Sequence, residues 1–263
     1  MKKLLMTLIV ALMTATCVNA QILDKRLFNH LTVGLNVGTT GIGADVAMPA
    51  TRWLELEAGF SIMPKIKYST NLHLNMSTTD IDPSLTSIDN VPIQGKLNMV
   101  NGKFMINFLP FPSVTNFHVT VGAYFGKSSI VEVYNTQDGQ LTPVNEANQK
   151  IIDNDLPYDP IGLKLGDYLL TPDANGNAKA SLKTNGFKPY VGIGFGRAVP
   201  RNKFLSFKFD LGAMFWGTPE VIDHNGQNLA NQNWDGKDGG AFRVISKIKV
   251  YPVLNFRLCG KIF

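Results

Sequence analysis

Hydrophobic and polar residues alternate one by one in eight separate stretches of the chain. In "HLTVGLNVG", which begins at His30, Leu or Val fills every odd position and Thr, Gly or Asn follows at the even positions. A period of two places successive side chains on opposite faces of a β-strand. The other seven stretches begin near Ile42, Trp53, Val100, Phe117, Lys188, Phe204 and Phe242. The pattern predicts eight strands and an all-β fold.

The connections between these strands alternate in length. Short turns at about 49–52, 109–116 and 199–203 alternate with long polar segments at about 64–97, 135–186 and 217–240. Apart from a tight first hairpin, all long connections therefore fall at one end of the sheet. An even number of strands that pair in chain order needs no crossover connection. We expect an eight-stranded antiparallel up-and-down sheet.

Alternation alone does not show which face points inward, since it is also typical of a soluble β-sandwich. The composition of the two faces gives that information. The polar face is rich in glycine, which weakens a solvent-facing strand but suits the crowded lumen of a narrow barrel. Short turns at one end, long loops at the other and aromatic residues at both ends are typical of outer-membrane barrels. These features favour a transmembrane β-barrel with short periplasmic turns and long extracellular loops. The alternative is a soluble secreted β-sandwich or lipocalin-like binding protein.

The same phase places charges of both signs inside the barrel. Four acids and four bases share the inward face: Asp45, Glu55, Glu57, Asp210, Lys103, Lys208, Arg257 and Lys261. A base that faced lipid at the bilayer midplane would cost about 2–4 kcal/mol. We therefore predict that these eight residues form a lumen ion-pair network and that side chains fill the lumen. A narrow channel for small solutes is the alternative.

The last alternating stretch is longer than a membrane span requires. It runs from Phe242 to Ile262, whereas a tilted strand needs only about 9–11 residues. Its first part is predicted to project above the membrane, with Arg243, Lys247 and Lys249 on the inward side as a basic mouth. Such a mouth would attract anionic solutes or lipopolysaccharide, or pair with acids of the loops. Pro252 has no N–H for the ladder, so a bulge or local break is expected there.

The first twenty residues predict export. "MKKLLMTLIVALMTATCVNA" has two lysines, an apolar run and small residues before Gln21, as in a cleaved signal peptide. The apolar run is too short for a membrane helix, which needs about 20 residues. Cys17 suggests lipidation as an alternative, but Thr16 before it is larger than lipoprotein cleavage prefers. We predict a signal peptide at 1–20 and a single outer-membrane β-barrel domain at 21–263.

Charge and cysteine content give no further function class. Removal of the signal peptide takes away Lys2 and Lys3, so 23 of the 25 Lys and Arg residues remain, compared with 20 Asp and Glu residues. This near-neutral balance gives no reason to expect nucleic acid as a partner. Cys259 is then the one cysteine, so no internal disulfide is expected.

No motif predicts catalysis, a cofactor or a metal. Only His118 among the four histidines lies on a predicted strand, and no His-x-x-His or Cys-x-x-Cys spacing occurs. Ser128 lies near Glu132, but without the histidine that would activate a nucleophile. The segment that begins at Asp173 is similar to a calcium loop, but Thr184 stands where such a loop has a bidentate Glu. We expect a protein that is not an enzyme.

With these features the chain resembles the eight-stranded outer-membrane β-barrels of Gram-negative bacteria, the group that includes the transmembrane domain of outer-membrane protein A. The resemblance covers residues 27–263 and rests on the strand pattern, the signal peptide and a closing strand that ends in Phe263. It implies a location in the cell outer membrane, contact with outer-membrane lipid and lipopolysaccharide, and recognition of Phe263 as an assembly signal by the barrel-assembly machinery.

Phe263 departs from the pattern of this group, because it falls on the side of Lys261 rather than on the lipid-facing side. The expected role is structural, or a surface interaction of the long outer loops with an unknown extracellular ligand.

Overall fold

The computed structural model describes residues 30–65, 67–74, 85, 88, 90–165, 168–201, 204–229 and 247–262. Within these ranges the chain forms β1 (Thr32–Gly38), β2 (Gly41–Pro49), β3 (Leu54–Ile62), β4 (Lys67–Leu72), β5 (Val91–Leu97), β6 (Val100–Phe108), β7 (Phe117–Gly126), β8 (Ser129–Asn135), α1 (Thr142–Asp153), β9 (Leu163–Leu165), β10 (Tyr168–Leu170), β11 (Lys179–Lys183), β12 (Phe187–Gly196), β13 (Leu205–Phe215), β14 (Glu220–Asp223) and β15 (Val250–Lys261). The predicted signal peptide, Arg243 and Phe263 lie outside the described residues.

Eight strands close into an antiparallel barrel. Its order is β1-β2-β3-β6-β7-β12-β13-β15, and β15 returns to pair with β1. At this seam Thr32 lies opposite Lys261 and Gly38 opposite Asn255, so the pairing covers the whole of β1. Each strand pairs with the barrel strand that follows it in the chain. The prediction of an all-β, eight-stranded up-and-down barrel is confirmed.

The barrel turns its large apolar side chains outward and its polar side chains inward. Leu35 is 64% exposed, Phe207 76% and Phe256 51%, whereas Arg257 is 1% exposed and Asp45 4%. Because the side-chain period is two, a shift of one residue in register would exchange the two faces. The register of the closed sheet therefore fixes an apolar exterior around a polar interior.

Five of the barrel strands continue beyond the long-loop end as an open sheet. The order of this outer sheet, β14-β11-β8-β5-β4, matches the barrel order β13-β12-β7-β6-β3. Backbone hydrogen bonds bridge the junctions, from Gly126 N–H to the Gly186 carbonyl (2.9 Å) and from Met63 N–H to the Met99 carbonyl (2.8 Å). The barrel wall is thus extended on one side only.

A second hydrophobic core covers one face of the outer sheet. Val91 and Ile93 of β5 pack in one cluster with Val144, Ala147 and Ile151 of α1. The helix begins with a proline in its first turn and places these three apolar residues along one stripe. The described parts of the long connections at this end of the barrel therefore contain regular structure and a core of their own.

This outer sheet corrects the prediction that residues 135–186 are irregular, and it adds two strands within the long polar segment 64–97. The two added strands are β4 and β5, and residues 135–186 contain α1 with β9, β10 and β11. The alternation in "VPIQGKL" and the helical spacing in "TPVNEANQKIID" were visible in the sequence, but the surrounding Asn, Asp, Ser and Thr residues obscured them. Pairing to the extended barrel strands supplies the packing that these short segments need.

The closing strand corrects two further predictions. β15 begins at Val250, so Lys247 and Lys249 precede the strand and are exposed rather than facing inward along it. Pro252 pairs opposite Ala213 without a register shift, so the expected bulge is absent there. The Pro252 carbonyl accepts from Thr39 Oγ1 at 3.0 Å, on the side where β1 has already ended. A missing N–H on that side removes no ladder bond.

Replacing Ile151 with alanine is expected to loosen the outer sheet and leave the barrel intact. Ile151 is 6% exposed in the second core, and the adjacent Ile152 is 70% exposed. Loss of a buried isoleucine side chain costs about 2–5 kcal/mol, so I151A should increase protease cleavage and hydrogen exchange in α1. The matched control I152A should behave as wild type. Equal protection of α1 in both variants would contradict the assigned packing.

Candidate functional site in the barrel interior

Six charged side chains form a chain of alternating charge across the barrel interior. In order they are Arg257, Asp45, Lys103, Glu57, Lys208 and Asp210. Asp45 accepts from Arg257 Nε at 2.5 Å and from Lys103 Nζ at 2.9 Å. Glu57 accepts from Lys103 Nζ at 2.6 Å and from Lys208 Nζ at 2.9 Å. Lys208 Nζ also lies 3.1 Å from Asp210 Oδ2. This ionic chain connects five of the eight barrel strands: β2, β3, β6, β13 and β15.

The six charged groups can be buried because each of them lies beside a group of opposite charge. All six side chains are buried, and three acids balance three bases. A charge removed from water costs several kcal/mol unless an opposite charge and hydrogen bonds compensate it. Neutral groups supply further bonds, as Asn36 Nδ2 donates to Asp45 at 2.8 Å. His118 Nε2 lies 2.8 Å from Asp210 Oδ1, which completes that end of the chain.

The two other predicted network residues lie apart from this chain. Glu55 faces the short-turn end, where its Oε2 accepts from the Ala198 N–H at 2.9 Å and Arg197 Nη1 lies 3.7 Å from its Oε1. Lys261 lies at the same end, with its Nζ 3.4 Å from His30 Nε2. Among the described residues no carboxylate pairs with Lys261. The structure therefore brings together six of the eight predicted residues.

Inward glycines leave the space that the long charged side chains occupy. A Cβ placed on Gly34 would overlap the Arg257 guanidinium and the Asp45 carboxylate, and one on Gly194 would overlap the His118 ring. Glycine weakens an isolated strand. Here its missing side chain allows side chains from neighbouring strands to cross the lumen.

An aromatic and sulfur-rich cluster fills the rest of the lumen toward the long-loop end. Its members are Met105, Tyr124, Tyr190, Met214 and Val253. The rings of Tyr124 and Tyr190 meet edge to face, with centroids 5.6 Å apart. Lys188, which is 1% exposed, donates to Asn101 Oδ1 at 3.1 Å.

The sequence prediction missed these residues because it counted only Asp, Glu, Lys and Arg within the clearest alternation. The inward phase of Tyr124 and Tyr190 was visible, but nothing in the sequence showed that they contact each other. Met105 and Met214 also occupy inward positions, but apolar side chains were expected to face outward.

The short-turn end is closed by one of its own turns. Ala198 and Val199 of the β12–β13 connection are buried and pack with Ala47. The Ala198 carbonyl accepts from Arg257 Nη1 at 2.8 Å and from Thr32 Oγ1 at 2.9 Å. The turn therefore binds the ionic chain directly and blocks the lumen below it.

A cavity of about 10 Å³ lies inside the lumen against Glu57, Lys103, Tyr124, Tyr190 and Lys208. A single water needs about 10–15 Å³ of such volume. Along the described chain, no group of three His, Cys, Asp or Glu side chains is arranged to hold a metal. The interior is packed, and its six-membered ionic chain is held together by hydrogen bonds between its own members.

The region around Asp173 forms an ordinary polar turn. Asp173 Oδ1 accepts from the backbone N–H groups of Asn175 and Asn177, both at 2.9 Å, and Gly176 adopts a positive φ of 72°. This carboxylate oxygen therefore caps its own turn. None of the described helices is long and apolar enough to cross a membrane.

Comparisons with known proteins give distant structural neighbours. No protein-family model matches the chain, and no curated protein matches it. The solved structures of CarO2 and CarO from Acinetobacter baumannii are each 18% identical. CarO2 covers 88% of this chain and 98% of its own with a TM-score of 0.48; CarO covers 87% and 96% with a TM-score of 0.46.

A third neighbour is a major outer membrane protein from Thermus thermophilus. It is 15% identical and covers 89% of this chain and 98% of its own, with a TM-score of 0.31. All three TM-scores are below 0.5, so the barrel assignment rests on the strand pairing alone.

Replacing Glu57 with glutamine is expected to destabilise the barrel strongly. The substitution leaves Lys103 and Lys208 buried without their shared carboxylate, and breaking a buried pair costs about 3–5 kcal/mol. The urea midpoint of unfolding, measured in lipid vesicles, should fall. The control E220Q changes an exposed acid of the outer sheet and should shift stability by less than about 0.5 kcal/mol. Equal midpoints for the two variants would show that the ionic chain does not stabilise the barrel.

Replacing Gly34 with alanine is expected to destabilise the barrel by crowding the pair of Arg257 and Asp45. Such overpacking costs about 1–3 kcal/mol. The control G102A adds the same methyl group to β6, where the nearest atom lies 3.7 Å away and contact is ordinary. Thermal unfolding should separate the two variants, and a wild-type midpoint for G34A would contradict the described crowding.

Proposed function

We propose that this chain is an integral outer-membrane β-barrel protein with a closed, side-chain-filled lumen, and that it acts as a structural and surface-interaction protein rather than an enzyme. The observation that carries the proposal is the six-membered ionic chain, in which each charged group lies beside an opposite charge, beneath an apolar exterior. A lipocalin-like binder has the opposite requirement, since its interior must accept an apolar ligand. The exterior and the interior each support one part of this proposal.

The exterior supports membrane insertion. The barrel strands contain 7–12 residues, close to the 9–11 that a tilted membrane strand needs. Exposed aromatic residues lie at both ends of the apolar band: Trp53, Phe111 and Phe204 at the short-turn end, and Phe60, Phe125, Phe187 and Phe215 at the long-loop end. Aromatic girdles at the two interfaces are typical of membrane barrels. A water-soluble protein rarely exposes an apolar band that surrounds it.

The interior supports a closed barrel rather than a narrow channel. The ionic chain, the tyrosine and methionine cluster and the buried turn at Ala198 together occupy the lumen. Moving a solute through it would require breaking several buried ion pairs, each of which is costly to break.

The outer sheet supports a role in surface contact. Its second core holds five strands in place, so the opposite face is already ordered before any partner binds. That face presents Lys67, Lys96 and Glu132 in one cross-strand row, with Tyr134 and Gln94 hydrogen-bonded at 2.7 Å in the next. We infer that this polar face, with the exposed Lys247 and Lys249, contacts lipopolysaccharide or an extracellular ligand. Assembly by the barrel-assembly machinery belongs to the same proposal.

The full chain in planar bilayers is expected to show no stepwise conductance. Insertion is checked in the same preparation by a heat-dependent shift on SDS gels and by spin labels at Phe207 and Phe256 in a variant without Cys259. Both labels should be accessible to lipid-soluble oxygen. A label at Ser181 in the outer sheet is the control and should be accessible to a water-soluble quencher instead.

The two parts of the proposal fail separately. Conductance steps from inserted protein would show that the lumen is open. Labels at Phe207 and Phe256 that are shielded from oxygen would show that the apolar face is not in lipid.

A further inference from the structure

A cavity of about 440 Å³ lies outside the lumen at the short-turn end. Residues 112–116 of the β6–β7 turn and Arg197, Pro200 and Arg201 of the β12–β13 turn form its walls. One side of it is polar and carries Ser113, Arg197 and Arg201; the other is apolar and carries Val114, Leu205 and Phe207. The cavity is therefore amphipathic, unlike the packed interior of the barrel.

Two arginines converge on the polar side of this cavity. Arg197 Nη2 and Arg201 Nη1 donate to the same carbonyl, that of Pro112, at 3.1 and 3.0 Å. Sharing one acceptor holds the two guanidinium groups close together. Burial lowers the pKa of Arg197 and the nearby charge of Arg201 adds to this decrease, while Glu55 opposes it.

The charges at this site do not balance. Glu55 lies 3.7 Å from Arg197 Nη1 and is the carboxylate paired with it. Arg201 is exposed, and within the described part of the chain it forms no ion pair. One carboxylate thus faces two guanidinium groups, which leaves a positive charge with free N–H donors at the mouth of the cavity. Guanidinium groups bind phosphate oxygens in paired hydrogen bonds.

The apolar side of the cavity continues into the membrane-facing surface. Val114 is 88% exposed, and Phe207 is 76% exposed. Phe207 also borders a second, apolar depression of about 620 Å³ on the outer wall of the barrel, together with Leu35, Phe195 and Phe256. A basic site for a phosphate thus adjoins a groove that suits hydrocarbon.

We propose that this cavity binds an inner-leaflet glycerophospholipid, with its phosphodiester at Arg201 and Arg197 and its acyl chains in the groove beyond Phe207. The proposal rests on the proposed membrane orientation, which places the short turns at the periplasmic interface. Ser113 offers a hydroxyl to the phosphate from the facing turn. A free phosphate ion would use the same polar groups but would leave the groove unused.

Native mass spectrometry of the full chain tests this proposal. Delipidated protein in detergent is incubated with phosphatidylglycerol, and wild type should retain one lipid. R201Q should reduce the apparent affinity by about tenfold or more, as expected for loss of hydrogen bonds to a charged group. K183Q is the control, since it removes one exposed positive charge from the outer sheet, at the opposite end of the barrel from this cavity. It should retain the lipid as wild type does.

Two further measurements complete the experiment. Excess inorganic phosphate should not displace the lipid, and R201K should retain part of the affinity. Equal lipid retention by wild type and R201Q, or full displacement by inorganic phosphate, would overturn the lipid site. Either result can occur while the heat-dependent gel shift persists, whereas failure of the membrane proposal itself would abolish that shift.

Discussion

The lumen of an eight-stranded barrel is too narrow to hold bulk water around charged groups, so any ion inside it must find its partner within the protein. This constraint governs the rest of the structure. Glu57 lies between Lys103 and Lys208, and each lysine also binds a second acid. Removing Glu57 therefore leaves each of the two lysines with one acid in place of two. The inward glycines follow from the same constraint, because the paired side chains need the space that a Cβ would fill.

The apolar exterior and the outer sheet depend on this packed interior. The barrel pairs its six-membered ionic chain inside the lumen and turns its large apolar side chains outward. The barrel is extended on one side only. There the strands of the outer sheet follow the same order as the barrel strands β3, β6, β7, β12 and β13. The hairpin of β1 and β2 ends in a two-residue turn instead. The barrel thus provides the base that sets the order of the strands above it.

The eight barrel strands and the inward phase of Asp45, Glu57 and Arg257 could be predicted because a period of two is a local property of the sequence. The pairing between them could not, since Lys208 and Glu57 are 151 positions apart and their contact depends on strand order and tilt. Lys261 has the correct phase but lies at the end of the last strand, beyond reach of the acids. The outer sheet escaped prediction because strands as short as β14 carry too few residues to establish a pattern.

The seam between the first and last strands has a consequence for how the chain folds. Arg257 of β15 reaches across β1 to Asp45 of β2, passing over Gly34. The chain is made from its amino terminus, so Asp45 is present before Arg257 has been made. Lys103 of β6 is made earlier and supplies one cationic partner, and the final segment supplies the second. Ring closure and completion of the ionic chain are therefore one event.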